Sequence, residues 1–168
     1  MRTMTRAPRR FAKPTPERKT EDRKRLFVVL AAGAVVCAIY GLITTPSPAG
    51  LFAGGASFLL FGLEAAVITW VARLATSTKI PAWRTTTLAL VAFTLQCMES
   101  LVLKKAGLGT MAAAWVGECF VLAVIGQSLL PAKFGAGLAI AVASKIVVLL
   151  VALAIVAALF TMLFAVAI

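Results

Sequence analysis

Beyond residue 25 the chain contains three acidic residues, Glu64, Glu99 and Glu118, and each lies inside an apolar stretch long enough to cross a bilayer. A carboxylate in hydrocarbon is costly, so each is a candidate for proton or cation binding, for pairing with a buried base, or for fixing helix register. Lys145 is the matching anomaly of opposite charge in the last apolar stretch.

Spacing sorts these residues. Gln96, Glu99 and Ser100 stand at i, i+3 and i+4, which makes one polar stripe on a helix, and Ala89 and Ala92 extend it with small residues. Glu118 shares a face with Ala114, whereas Gln127 is about opposite at ~100° per residue. At a rise of ~1.5 Å per residue, Glu99 and Glu118 are expected roughly 6 and 10 Å below the outer boundary, on antiparallel neighbouring helices. Two carboxylates close together in a low dielectric do not comfortably both ionise. Glu99, Glu118, Gln96 and Ser100 therefore form a candidate proton or cation site, with neutral, hydrogen-bonded acids that set helix register as the alternative.

Glu64 and Lys145 are expected roughly 10 to 12 Å from the inner boundary, where an interhelical ion pair is available to them. The competing expectation is a last helix that begins only near Lys145, whose amine then snorkels to the headgroups.

The elements that must position these groups follow from composition. With 61% hydrophobic residues, 14% charged residues and a mean hydropathy of +0.99, the chain lies far outside the range of soluble domains. The expected fold is an all-α integral membrane protein, a bundle of about five transmembrane helices, with four plus a re-entrant or interfacial helix as the alternative. The spans read 26–43, 51–71, 85–103, 111–130 and 138–165. Thr44–Pro48 closes the first with a proline-rich stop. Trp70 and Trp83 flank the link at 73–84 as interface anchors. The last apolar stretch is longer than a ~30 Å core requires, so it must tilt, kink or begin in the interface.

Residues 1–25 form a separate basic region. Ten Lys or Arg face Glu17, Glu21 and Asp22, and three prolines interrupt them, which predicts a largely disordered tail whose end, Glu17–Arg25, could prolong the first helix. The Arg9-Arg10-Phe11 run does not lead cleanly into an export signal and cleavage site, so a retained anchor is expected. The basic residues predict a cytoplasmic amino terminus in an inner membrane. By alternation the 73–84 and Lys133 links lie inside, and the carboxyl terminus lies outside. Lys104 and Lys105 run against this rule but are outnumbered. Arg18, Lys19, Arg23, Lys24 and Arg25 are the expected contacts to anionic lipid, which such a segment attracts by about 1 kcal/mol per basic residue. Nucleic acid is not an expected partner, since no aromatic interleaving accompanies the charge.

Small residues recur at packing intervals: Gly33, Cys37 and Gly41, then Gly50 and Gly54, Gly62 and Ala66, and Ala113 and Gly117. The three cysteines, Cys37, Cys97 and Cys119, read as small packing residues. The chain has no histidine, which excludes imidazole-ligated haem, His-based zinc sites and Ser-His or Cys-His dyads. No phosphate loop, GxSxG elbow, HExxH or paired CxxC occurs. No cofactor or metal is expected.

The leading expectation is a non-catalytic subunit or accessory protein of a larger inner-membrane complex for transport, secretion or energy conversion, with other membrane subunits or further copies of itself as partners. A small proton- or cation-coupled transporter or channel is the alternative. An intramembrane enzyme and a holin-like permeabilising protein follow on weaker grounds.

Overall fold

The computed structural model describes residues 16–76, 79–102, 108–130 and 133–166, and all of its elements are helices: α1 Pro16–Thr44, α2 Ala49–Thr76, α3 Ala82–Val102, α4 Leu108–Leu129 and α5 Phe134–Val166. Four of them, α1, α2, α3 and α5, contain stretches long and apolar enough to cross a membrane, and α4 contributes a shorter apolar segment, Ala113–Leu129. Apolar helices of this kind suggest a membrane protein.

The helices overrun the apolar spans expected from hydropathy. Hydropathy marks where hydrocarbon would lie, whereas a helix continues until its backbone is stopped, and Ala, Arg and Thr at the margins do not stop it. α2 has 28 residues and α5 has 33 without a break. At ~1.5 Å per residue α5 is about 50 Å long, well beyond a ~30 Å core.

In the basic region, Glu17–Arg25 prolongs the first helix, as one of the sequence expectations had it. Residues 1–15 lie outside the described residues, but α1 begins at Pro16 and crosses the boundary expected at residue 25. Pro16 stands at the first helical position, where no intrahelical bond is lost, and Glu17 in the first turn complements the helix dipole. Glu21 and Arg25 pair one turn apart, and Asp22 accepts a hydrogen bond from the Trp83 indole N–H at 2.9 Å. The segment therefore has a tertiary partner in α3 that composition could not show.

The proline-rich link after α1 is a tight reversal. The Thr45 amide closes α1 on the Gly41 carbonyl at 2.9 Å, and the Gly50 amide opens α2 on the Ser47 carbonyl at 2.8 Å. The reversal folds α2 back along α1, and the two backbones nearly touch. A Cβ placed on Gly41 would lie 2.5 Å from the Gly54 backbone nitrogen, and one on Gly54 would lie 3.0 Å from the Cys37 carbonyl oxygen. Gly41 has no room for a side chain in that approach, and Gly54 has little. Gly62 and Gly117, with the same spacing signal in the sequence, face open space.

Helix neighbours define the architecture. α2 packs on α3, α3 on α4, α4 on α5 and α5 back on α2, so these four close a ring, and α1 lies outside it against α2 and α3. Phe61 is fully buried between the two layers, edge-on to Phe93 with ring centroids 5.9 Å apart and with Gly33 of α1 against its rim.

Candidate functional site

Each helix of the ring sends one polar side chain into its centre: Glu64 from α2, Gln96 from α3, Glu118 from α4 and Lys145 from α5. The Lys145 Nζ lies 3.2 Å from Glu64 Oε1 and also forms an ion pair with Glu118 Oε1. Gln96 donates from Nε2 to the same Glu64 oxygen at 3.2 Å. Glu64 is 2% exposed, Glu118 3% and Lys145 6%, so the three charged groups are buried, while Gln96 is half-buried.

The level of the cluster follows from helix length. Glu64 is near the middle of the 28-residue α2, and Glu118 is near the middle of the 22-residue α4. Lys145 is about 16 Å along α5 from Phe134. Glu64, Glu118 and Lys145 therefore stand in one layer at the centre of the bundle, with Glu99 beside it.

The structure regroups the expected residues. Glu64 and Lys145 stand together. Glu118 is tied to Lys145 by an ion pair, and no hydrogen bond or ion pair joins it to Glu99 among the described residues. Glu99 itself is half-buried on α3, one turn beyond Gln96. Ser100 turns to the α1 side, where its hydroxyl is 2.9 Å from the Tyr40 hydroxyl. Members of one stripe thus serve different neighbours, because α3 touches α1, α2 and α4 and a stripe about 100° wide spans more than one seam. Lys145 is buried on its two carboxylate partners, and α5 begins at Phe134, well before it. Gln127 is exposed on α4.

Two residues of this region were missed by sequence reasoning. Tyr40, the single tyrosine, joins α1 to α3 through Ser100. Ser144, 1% exposed beside Lys145, returns its hydroxyl to the Ala141 carbonyl at 2.9 Å. Each is one polar residue in an apolar run, and that isolation is the signal that could have drawn attention to them.

At the end of the bundle where α1 starts, the expected lipid contacts Arg18, Lys19, Arg23, Lys24 and Arg25 are all exposed along α1. Trp83 acts there as a staple. It donates to Asp22, the Arg25 guanidinium lies 5.1 Å from its ring centroid, and that of Arg84 lies 5.3 Å away. Arg84 in turn donates to the Leu129 carbonyl at 3.3 Å, which ties α3 to the end of α4.

Chemically, the central cluster is an ammonium held between two carboxylates. If all three groups are ionised, it carries one uncompensated negative charge, which a proton or a small cation would neutralise. Among the described residues no group of three or more His, Cys, Asp or Glu could hold a metal ion, and the three cysteines are free and buried.

The fold and the cluster define a class, an all-helical bundle with four membrane-length apolar helices, three of which join the shorter α4 around a buried ion cluster. Compared with known proteins, the chain matches no family model, no curated protein and no solved structure.

Proposed function

We propose that this chain is a non-catalytic integral subunit or accessory protein of a larger inner-membrane complex serving transport, secretion or energy conversion. The amino terminus is cytoplasmic, α4 completes five crossings, and the carboxyl terminus is on the outer side. The observation that carries this reading is that the groups able to do chemistry are engaged with one another and almost fully buried, as in a cluster that fixes helix register. The orientation is supported by Arg73, Lys79, Arg84 and Lys133, which stand at the end where the basic start of α1 lies.

Native mass analysis after mild solubilisation tests the subunit reading. Stoichiometric partner chains should co-purify, and a clean homo-oligomer would count against it. Cysteines introduced at Ser47 and Lys79 test the orientation, with labelling expected from outside and inside respectively.

A second reading is favoured by the charge inventory of the cluster. Two carboxylates share one ammonium, and a site short of one positive charge in a low-dielectric layer is suited to taking up a proton or cation in a small coupled transporter or channel. Proton or cation flux in proteoliposomes, compared among the native chain, Glu64→Gln and Glu118→Gln, decides it. Equal flux in all three would remove the cluster from any transport mechanism.

A further inference from the structure

A groove of about 370 Å³ opens on the side of the bundle between α1, α2 and α3, toward the basic end. Its size is in the range of small-molecule sites, roughly 300–1,000 Å³. Its wall includes Leu26 of α1, Ala66 and Thr69 of α2 and Thr86 of α3, and its mouth is marked by Trp70 and Arg73.

The wall offers little polarity. The Thr69 hydroxyl donates to the Ala65 carbonyl at 2.7 Å and lies 2.7 Å from the Thr85 hydroxyl. Thr86 donates to the Ala82 carbonyl at 2.9 Å. With both hydroxyls satisfied inside the protein, what these residues add to the wall is mainly methyl surface. Arg73 is different: it is exposed and forms no ion pair among the described residues. Arg23 and Lys24, also exposed, lie within a turn of Leu26 on the facing helix.

From Ala66 to Arg73 the groove runs about 10 Å along α2, apolar at its deep end and cationic at its shallow end. That polarity matches an amphiphile with an anionic head, and basic pockets between membrane helices are suited to such headgroups. We propose that this groove binds one anionic phospholipid, its phosphate on Arg73 with the Trp70 indole beside it, and an acyl chain lying along Ala66 and Leu26. The site differs from the diffuse attraction of the basic segment of α1, because it has a defined wall and a single guanidinium at its mouth. The inference rests on the bundle lying in a bilayer and is independent of the subunit reading.

Native mass spectrometry of the full chain, released from membranes of equal phosphatidylglycerol and phosphatidylcholine, tests this. The native chain should retain one phosphatidylglycerol in preference to phosphatidylcholine. Arg73→Gln should weaken that retention roughly five- to tenfold, the effect of one basic contact near the surface. Arg73→Lys should keep most of it, and Lys79→Gln, an exposed charge at the same end but outside the groove, should leave it unchanged. Ala66→Phe, which fills the wall without altering charge, should also lose the lipid while melting within a few degrees of the native chain. Equal weakening by Arg73→Gln and Lys79→Gln would overturn the proposal in favour of bulk attraction. So would equal retention of phosphatidylcholine, or displacement of the lipid by millimolar inorganic phosphate. Retention unchanged in both Arg73→Gln and Ala66→Phe would overturn it as well.

Discussion

α2 is held on its two sides by opposite kinds of interaction. Against α1 it makes a dry seam in which Gly41 and Gly54 let two backbones come together and no charge takes part. Toward α5 and α4 it presents Glu64 to a buried ion cluster whose geometry depends on valence. The first contact tolerates no added volume, and the second tolerates no lost charge. Close packing of small residues and polar contacts are two ways to specify helix neighbours, and this chain uses one for each face of the same helix.

The largest expected effect comes from breaking the balance of the cluster. Lys145→Met leaves two carboxylates buried without their ammonium and should cost about 3–5 kcal/mol of stability, the usual penalty for removing one partner of a buried ion pair. Combining it with Glu64→Gln and Glu118→Gln should restore most of that loss, because no net charge is then left unpaired. Thermal unfolding of both variants in detergent reads the difference. A Lys145→Met protein as stable as the native chain would show that the cluster is not what holds the ring.

The dry seam should respond to size and ignore charge. Gly41→Leu forces α1 away from α2 and is expected to cost about 1–3 kcal/mol, as overpacking of a tight contact usually does. Gly62→Leu, on an open face of α2, should be neutral or slightly stabilising in the isolated chain. The contrast sharpens the comparison: leucine has the better helix propensity, so a loss confined to Gly41→Leu belongs to backbone approach, and equal losses at both positions would sink that assignment.

The smallest expected effect is at the edge of the seam. Tyr40→Phe removes the hydroxyl shared with Ser100 and should cost about 1 kcal/mol, the typical net worth of one hydrogen bond. A double-mutant cycle with Ser100→Ala checks that the loss belongs to this pair. Additive losses would assign the effect to each residue separately.

Much of the scaffold could be read along the chain, because it is set by neighbours in sequence. The proline-rich reversal at Thr45–Pro48, the approximate position of each helix and the seam of Gly33, Cys37, Gly41, Gly50 and Gly54 were all visible in this way. The boundaries were less visible. The basic start of α1 meets α3 through Asp22 and Arg25 on Trp83, a contact between residues far apart in sequence. The cluster was harder still. Lys145 and Glu64 are separated by 81 positions, and nothing in the spacing of either helix shows that α5 returns to α2. Glu118 is adjacent to Glu99 in the order of helices, yet its ion pair is with Lys145 on the next helix.

The sequence by itself determined the class of the protein: long apolar helices, a basic end, and a small set of polar residues that apolar surroundings make expensive. Those properties depend on composition and on local periodicity, which every residue carries wherever the chain goes. The tertiary structure alone decided which polar residues meet. Closure of α2, α3, α4 and α5 into a ring places Glu64, Gln96, Glu118 and Lys145 in one layer and leaves Glu99 and Ser100 beside it. Partner choice in a buried site depends on which helices are neighbours, and that is a property of the whole packing.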